Sequence, residues 1–386
     1  MTRKVVIINL VVILILVVIV DLCVGFLYER VAPASGKQNL EILLGTINAE
    51  TLKNIKPHPY MLWENAPDLV SGTGIKQTDK QGYRNERDIG TLEPGTLRIL
   101  ALGGSSTYGF TTLAGPAEAW PAQLEKKLNE RLTGTQYQKV EVINAGLNYA
   151  TSAELLSHYL FRDRYLRSKI VILHVGENDV VPMLFDDYDP EYKHFRPGWS
   201  TNVISLRQTE RWLIRHSNII KLAYAYRLRN SITLPHIETE AGFDKPEEYY
   251  LENVKRNQPI GFERNLELLI RNIMADGGQP VLFFPVLPSN EQYSAFSSEV
   301  AQRAAPRKVV RNAMMIGVEK DVMVMKTLSA KYGIPVIQIS SDRMPTEYFF
   351  DHNHLTKEGE AIEGQIVADS ISQLLQKSAQ PTTVRH

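Results

Sequence analysis

The hydrophobic pattern changes character three times along the chain. From Val5 to Tyr28 it is almost wholly apolar, and only Asn9 and Asp21 interrupt the run. At about 1.5 Å per residue such a stretch exceeds the roughly 30 Å hydrocarbon core of a bilayer and predicts a membrane-spanning helix over residues 1–30. Arg3 and Lys4 stand before it, which by the positive-inside rule puts the N-terminus in the cytoplasm and everything after Glu29 across the membrane. This is a single-pass signal anchor. Ala32-Pro33-Ala34 would pass as a signal-peptide cleavage site, but the apolar region of a cleaved signal is about 7–15 residues, shorter than this one.

Residues 31–93 are polar, with Pro57, Pro59, Pro67 and a Gly72-Thr73-Gly74 turn, and predict a stalk followed by irregular structure. From 94 to 378 the pattern becomes regular. The short β-branched runs Leu97–Leu102, Val140–Ile143, Ile170–Val175, Val281–Pro285 and Val336–Ile339 predict strands buried on both faces. Helical stripes lie between them: Trp120, Leu124 and Leu128; Leu266, Leu269, Ile270 and Ile273; Ile362, Ile366, Ile371 and Leu374. Right-handed connections then give a three-layer α/β/α fold with a five-stranded, mainly parallel, flavodoxin-like sheet and a ligand site beyond the carboxyl ends of the strands. Residues 185–259, with a helix expected from about Thr209 to Leu228, are too long for an ordinary connection and read as an insertion or lid. Residues 379–386 read as a tail.

Composition narrows the function. Lys and Arg together number 43, as do Asp and Glu, so no basic excess favours a nucleic-acid partner. The single cysteine, Cys23, lies inside the apolar run and excludes both an intramolecular disulfide and a cysteine metal cluster.

Candidate chemistry starts at Leu102-Gly103-Gly104-Ser105-Ser106-Thr107-Tyr108-Gly109, a turn whose glycines expose the Ser105 hydroxyl. A P-loop is excluded because no Gly-Lys-Ser/Thr follows, the spacing G-x-G-x-x-G is absent, and Thr107 stands where an α/β-hydrolase elbow has its second glycine. A serine nucleophile needs a base that is itself oriented by a third group. Asp351-His352-Asn353-His354 offers Asp351 and His354 in one turn, with His352 as a competing base and Thr356 as a simple N-cap if the loop is only structural. Asn144-Ala145-Gly146 and His174-Val175-Gly176-Glu177-Asn178-Asp179 close two strands, and an amide and a glycine N–H there suit an oxyanion.

In order and spacing these four segments resemble the SGNH, or GDSL-like, hydrolases from about Arg98 to the C-terminal helix. The resemblance implies Ser105 as nucleophile, Asp351 and His354 as acid and base, and Ser105, Gly146 and Asn178 as oxyanion-hole donors. Gly104 stands where the family name has aspartate. The anchor and Gly82-Tyr83-Arg84 resemble members linked to cell-surface polysaccharides. The implied activity is serine-dependent removal of acyl groups, acetyl in the first instance, from a small molecule or polysaccharide, without metal or organic cofactor. Two alternatives share the site: an O-acetyltransferase, which would need a multi-spanning partner to deliver acyl groups, and a catalytically silent polysaccharide-assembly scaffold. Among the remaining residues, Asp186, Asp187 and Asp189 lack the glycine and glutamate of a calcium loop and read as a solvated turn. His174 reads as a core residue, Tyr224 and Tyr226 as lid or packing residues of the inserted helix, and Met314, Met315, Met323 and Met325 as core fillers.

Overall fold

A computed structural model describes residues 3–44, 55–58, 60–109, 115–132, 136–195, 208–230 and 243–379. Residues 380–386 of the expected tail, and parts of the expected stalk and insertion, lie outside the described residues. Two compact units are present: Met1–Pro57 with Arg196–His236, and His58–Phe195 with Ile237–His386.

The first unit holds α1 (Arg3–Val31), α2 (Ala34–Leu44), α7 (Gln208–His216) and α8 (Asn218–Leu228). Among the described residues α1 is the one helix long and apolar enough to cross a membrane, and every side chain from Val5 to Val20 is exposed. The single helix expected from Thr209 to Leu228 is two. Ser217 takes an extended conformation between them, and its hydroxyl accepts from the Ile220 N–H as an N-cap. Leu40, Leu44, Ile214 and Leu228 form the core of this unit. Tyr224 donates to Glu210 and Tyr226 to the Val31 carbonyl, so both tyrosines pack the inserted helix.

The second unit contains the sheet. After the short strands β1 (Ile55–His58) and β2 (Leu62–Asn65) come β3 (Thr96–Gly103), β4 (Lys139–Gly146), β5 (Ile170–His174), β6 (Gln279–Phe283) and β7 (Val336–Ile337). The last five pair in the order β4-β3-β5-β6-β7, and every pairing is parallel. The expected five-stranded α/β arrangement is therefore present, with a wholly parallel sheet. The order reverses between β3 and β5, and that switch point opens a crevice at the strands' carboxyl ends. β7 is shorter than expected because it meets only Leu282 and Phe283 of β6.

One face of the sheet, through Leu97, Ile99, Ala101, Val142 and Ile172, packs on Trp120, Leu124 and Leu128 of α4 (Trp120–Asn129) and on Val367, Ala368 and Ile371 of α14 (Lys357–Ala379). α5 (Ser152–Phe161) and α10 (Ile260–Ala275) pack together, and α10, which buries the expected stripe Leu266, Leu269, Ile270 and Ile273, also meets β6. α3 (Ser105–Tyr108) follows β3, and α6 (Glu177–Met183) follows β5. α9 (Glu247–Arg256), the short α11 (Asn290–Ser294) and α12 (Ser298–Ala304), and α13 (Arg311–Tyr332) complete the unit; Val180, Met183, Tyr250, Val254 and Ala313 join α6, α9 and α13. Met325 is buried as expected, but Met323 is 60% exposed and fills no core gap.

Two segments divide between the units. In residues 185–259, α7 and α8 pack on α1 and α2 in the first unit, while α9 packs on α6 and α13 in the second. Within residues 31–93, Met61, Trp63, Thr78, Asp79, Tyr83 and Arg84 are buried in the second unit. The Arg84 N–H donates to the Asn144 carbonyl, and the Asn85 side chain bonds the Val142 carbonyl and the Asn144 N–H. That segment covers the open edge of β4.

Candidate active site

Ser105 opens α3 directly after β3, and His354 and Asp351 lie in the loop that precedes α14. They meet at the crevice. His354 Nε2 is 2.8 Å from Ser105 Oγ, and His354 Nδ1 is 2.8 Å from Asp351 Oδ2. The other carboxylate oxygen, Oδ1, accepts from the backbone N–H groups of Asn353 at 3.0 Å and His354 at 2.8 Å. One aspartate thus shapes the turn and orients the ring in it. The turn is pinned at its base by Phe349 and Leu355, which bridge across the backbone and are buried together with Met344.

Burial disfavours the His354 imidazolium, but the carboxylates of Asp351, Glu177 and Glu360 outweigh it and hold the ring above its ordinary value. Burial also penalises the Asp351 carboxylate, yet the charge and hydrogen bond of His354 keep it well below the usual carboxylate range. His352, the competing base, is lowered to about 3 by burial, and its Nδ1 has no hydrogen-bond partner among the described residues. The short bond to Ser105 belongs to His354.

Asn178 and Gly146 fare differently. Asn178 Nδ2 donates to the Ala150 carbonyl at 2.8 Å, and its second proton has no acceptor among the described residues. A Cβ on Gly104 would stand 2.7 Å from that Nδ2, so the absence of a side chain at 104 lets the amide lie beside the serine turn. Gly146 does not present its N–H as expected. That N–H donates to Asn144 Oδ1 at 2.9 Å, and a Cβ on Gly146 would stand 2.2 Å from the Tyr108 nitrogen. Its glycine character serves the close approach of β4 to α3.

Several site residues escaped the reading of the sequence. Glu177 accepts from Ser106 Oγ at 3.3 Å and from Asn353 Nδ2, linking the serine helix to the histidine turn. Its signal was in plain view, a charged side chain between Gly176 and Asn178 at the end of a buried strand. Burial pushes Glu177 upward, Glu360 up to about 8, and Glu363 well above its ordinary value. Tyr149, one residue before the carbonyl that holds Asn178, has φ of 66°, a region that side chains other than glycine seldom enter. His174 is a core residue: it stacks on Phe283 at 4.2 Å, lies 3.2 Å from Thr107 Oγ1, and is lowered to about 3 by burial. Asp189 accepts from the Glu191 N–H and Asp186 from the Tyr249 hydroxyl, and among the described residues no cluster of three or more His, Cys, Asp or Glu could hold a metal.

No protein-family model and no curated protein matches the sequence. Solved structures do. An acetylxylan esterase from Geobacillus stearothermophilus, in a catalytic mutant, is 13% identical over 71% of this chain and 93% of its own, with a TM-score of 0.40. A lipase/acylhydrolase from Enterococcus faecalis is 15% identical over 72% and 96%, with a TM-score of 0.39. A GDSL-like lipase from Bacteroides thetaiotaomicron is 12% identical over 73% and 89%, with a TM-score of 0.35.

Proposed function

We propose that the protein is a membrane-anchored serine esterase of the SGNH type, and that it removes acetyl groups from a cell-surface carbohydrate. The observation that carries this reading is the continuous relay Asp351–His354–Ser105, with both links at 2.8 Å. Ser105 Oγ attacks the ester carbonyl while its proton passes to His354 Nε2, and Asp351 holds the ring's tautomer and balances the imidazolium. The Ser105 N–H and the second amide proton of Asn178 donate to the tetrahedral oxyanion. Collapse expels the alcohol, which takes the proton from His354; water then attacks the acyl-serine with His354 again as base, releasing the acid.

Acetyl is favoured by size. The partly open space lined by Gly104, Ser105, Ala150, Leu155, Asn178 and Pro285 is about 20 Å³, room for roughly one water-sized group. The long apolar helix α1 supports the anchored placement, and Arg3 and Lys4 before it favour an extracytoplasmic catalytic unit. The test is direct. The purified protein should hydrolyse an activated acetate ester and take up a fluorophosphonate at Ser105. Ser105→Ala should abolish the labelling and lower kcat by about 10⁴- to 10⁶-fold. Retention of both activities in that variant rejects the assigned nucleophile.

A further inference from the structure

Asp21, the one charged residue between Val5 and Tyr28, does not stand alone on α1. Its carboxylate accepts from Ser217 Oγ at 2.7 Å, from the Asn218 N–H and Nδ2 at 3.1 Å each, and from the Ile219 N–H at 3.0 Å. Those backbone groups belong to the first turn of α8, which has no intrahelical acceptors for them, and the positive end of that helix's dipole lies there too. Gly25 permits the approach, since a Cβ there would stand 2.6 Å from Asn218 Nδ2.

The contacts then advance together. Lys221 Nζ lies 4.3 Å from the Tyr28 ring centre, and the Tyr226 hydroxyl donates to the Val31 carbonyl at 2.9 Å. α8 therefore runs in the same direction as α1 and starts at the level of Asp21. If the hydrocarbon core begins at Val5, its roughly 30 Å thickness at 1.5 Å per residue ends about 20 residues later, near Val24. The start of α8 falls at that boundary.

α7 folds back along α8, with Glu210 accepting from the Tyr224 hydroxyl at 2.7 Å. Outward on this pair stand Trp212 at 60%, Leu213 at 41% and Ile219 at 38% exposure, with Arg211 and Arg215 beside them. Trp212 stacks on His216 with ring centres 4.6 Å apart. Exposed tryptophan and aliphatic side chains beside arginines are the composition found at a membrane–water interface. On α1 itself, Leu22 and Phe26 remain exposed past Asp21, so the apolar surface continues from the spanning helix to this depth.

We propose that α7 and α8 form a collar seated in the headgroup layer of the bilayer that α1 spans, with Trp212, Leu213 and Ile219 inserted toward the acyl chains. The start of α8 shields Asp21 from lipid, where an unpaired carboxylate is expensive.

The test is nitroxide depth measurement on the full chain in phosphatidylethanolamine/phosphatidylglycerol vesicles. In a Cys23→Ser background, labels go on Trp212→Cys, Leu213→Cys or Tyr165→Cys; Tyr165 is 74% exposed in the second unit. A further sample carries the label on the native Cys23, which is exposed on α1. Labels at 212 and 213 should collide several-fold more often with oxygen than with a nickel chelate, and the label at 165 should do the reverse. Far-UV circular dichroism checks that each labelled protein keeps its helices. A lipid-exposed Cys23 with 212 and 213 as open to nickel as 165 overturns the collar and leaves the span standing. Nickel access at Cys23 as well overturns both. Protection at 212 and 213 from both reagents, with spin–spin broadening, means that a second copy covers the face and likewise overturns the proposal.

Discussion

His354 can accept the Ser105 proton only when neutral, and its surroundings hold it above the ordinary histidine value of 6.5. Activity should therefore rise with pH along an acid limb whose midpoint lies above 6.5. Glu177 is one of the charges responsible, so Glu177→Gln should move that midpoint to lower pH, read from kcat/KM profiles of the two proteins. An unmoved midpoint would mean that the Glu177 carboxyl is already protonated and serves only to bridge Ser106 and Asn353. On the oxyanion side, Asn178→Ala should lower kcat by about 10²- to 10³-fold with little change in KM, since the bond it removes strengthens only in the transition state. Gly104→Ala tests the same amide from outside. Its Cβ would meet Asn178 Nδ2 at 2.7 Å, and displacing that group should lower kcat by up to about 10²-fold. At this scale Ser105, Asp351, His354 and Asn178 were legible as residue types in a spaced pattern. The use of the Gly146 N–H was not, because a motif records that glycine is present and not where its N–H points.

Among elements, the histidine turn was legible because it is local: Asp351 reaches both the Asn353 and His354 N–H groups and the imidazole without help from distant chain. The strands were legible because runs such as Val281–Pro285 are apolar without interruption. The break between α7 and α8 was harder to see, since helical spacing of apolar residues continues across Ser217 and the decision rests on one N-cap hydroxyl. Long-range ties between elements leave no trace in periodicity. Glu360, in the first turn of α14, accepts from the Trp120 N–H at the start of α4 at 2.8 Å, 240 residues away. Burial raises it from 4.5 to about 8. A raised carboxyl contributes stability that is fully present below about 4.5 and is lost as pH rises through about 8. Glu360→Gln keeps an oxygen for Trp120 and removes the titration, so the fall in Tm between pH 5 and pH 8 should be shallower in the variant. Thermal unfolding at a series of pH values measures it, and parallel curves would show that Glu360 is not the group that titrates.

At the scale of the whole molecule, the sequence announced an apolar N-terminal helix and a regular α/β region, but it left open whether the first is kept. A cleavage site at Ala32-Pro33-Ala34 and a spanning helix are both compatible with composition. The packing of the first unit predicts the second outcome. Removing α1 would take away the carboxylate that satisfies the start of α8 and would uncover Ala225, which is fully buried against Tyr28 and Ala32. Asp21 would be a poor residue for a disposable signal, because among the described residues its hydrogen-bond partners stand nearly 200 positions later in the chain. The mature protein is therefore expected to keep its first helix. The intact mass of the protein extracted from membranes should include residues 1–31, and Asp21→Ala should lower the yield of folded, membrane-bound protein because α8 loses the acceptor for its first turn. A mass that begins near Ser35, with normal yield, would show instead that α8 finds its partners without the anchor.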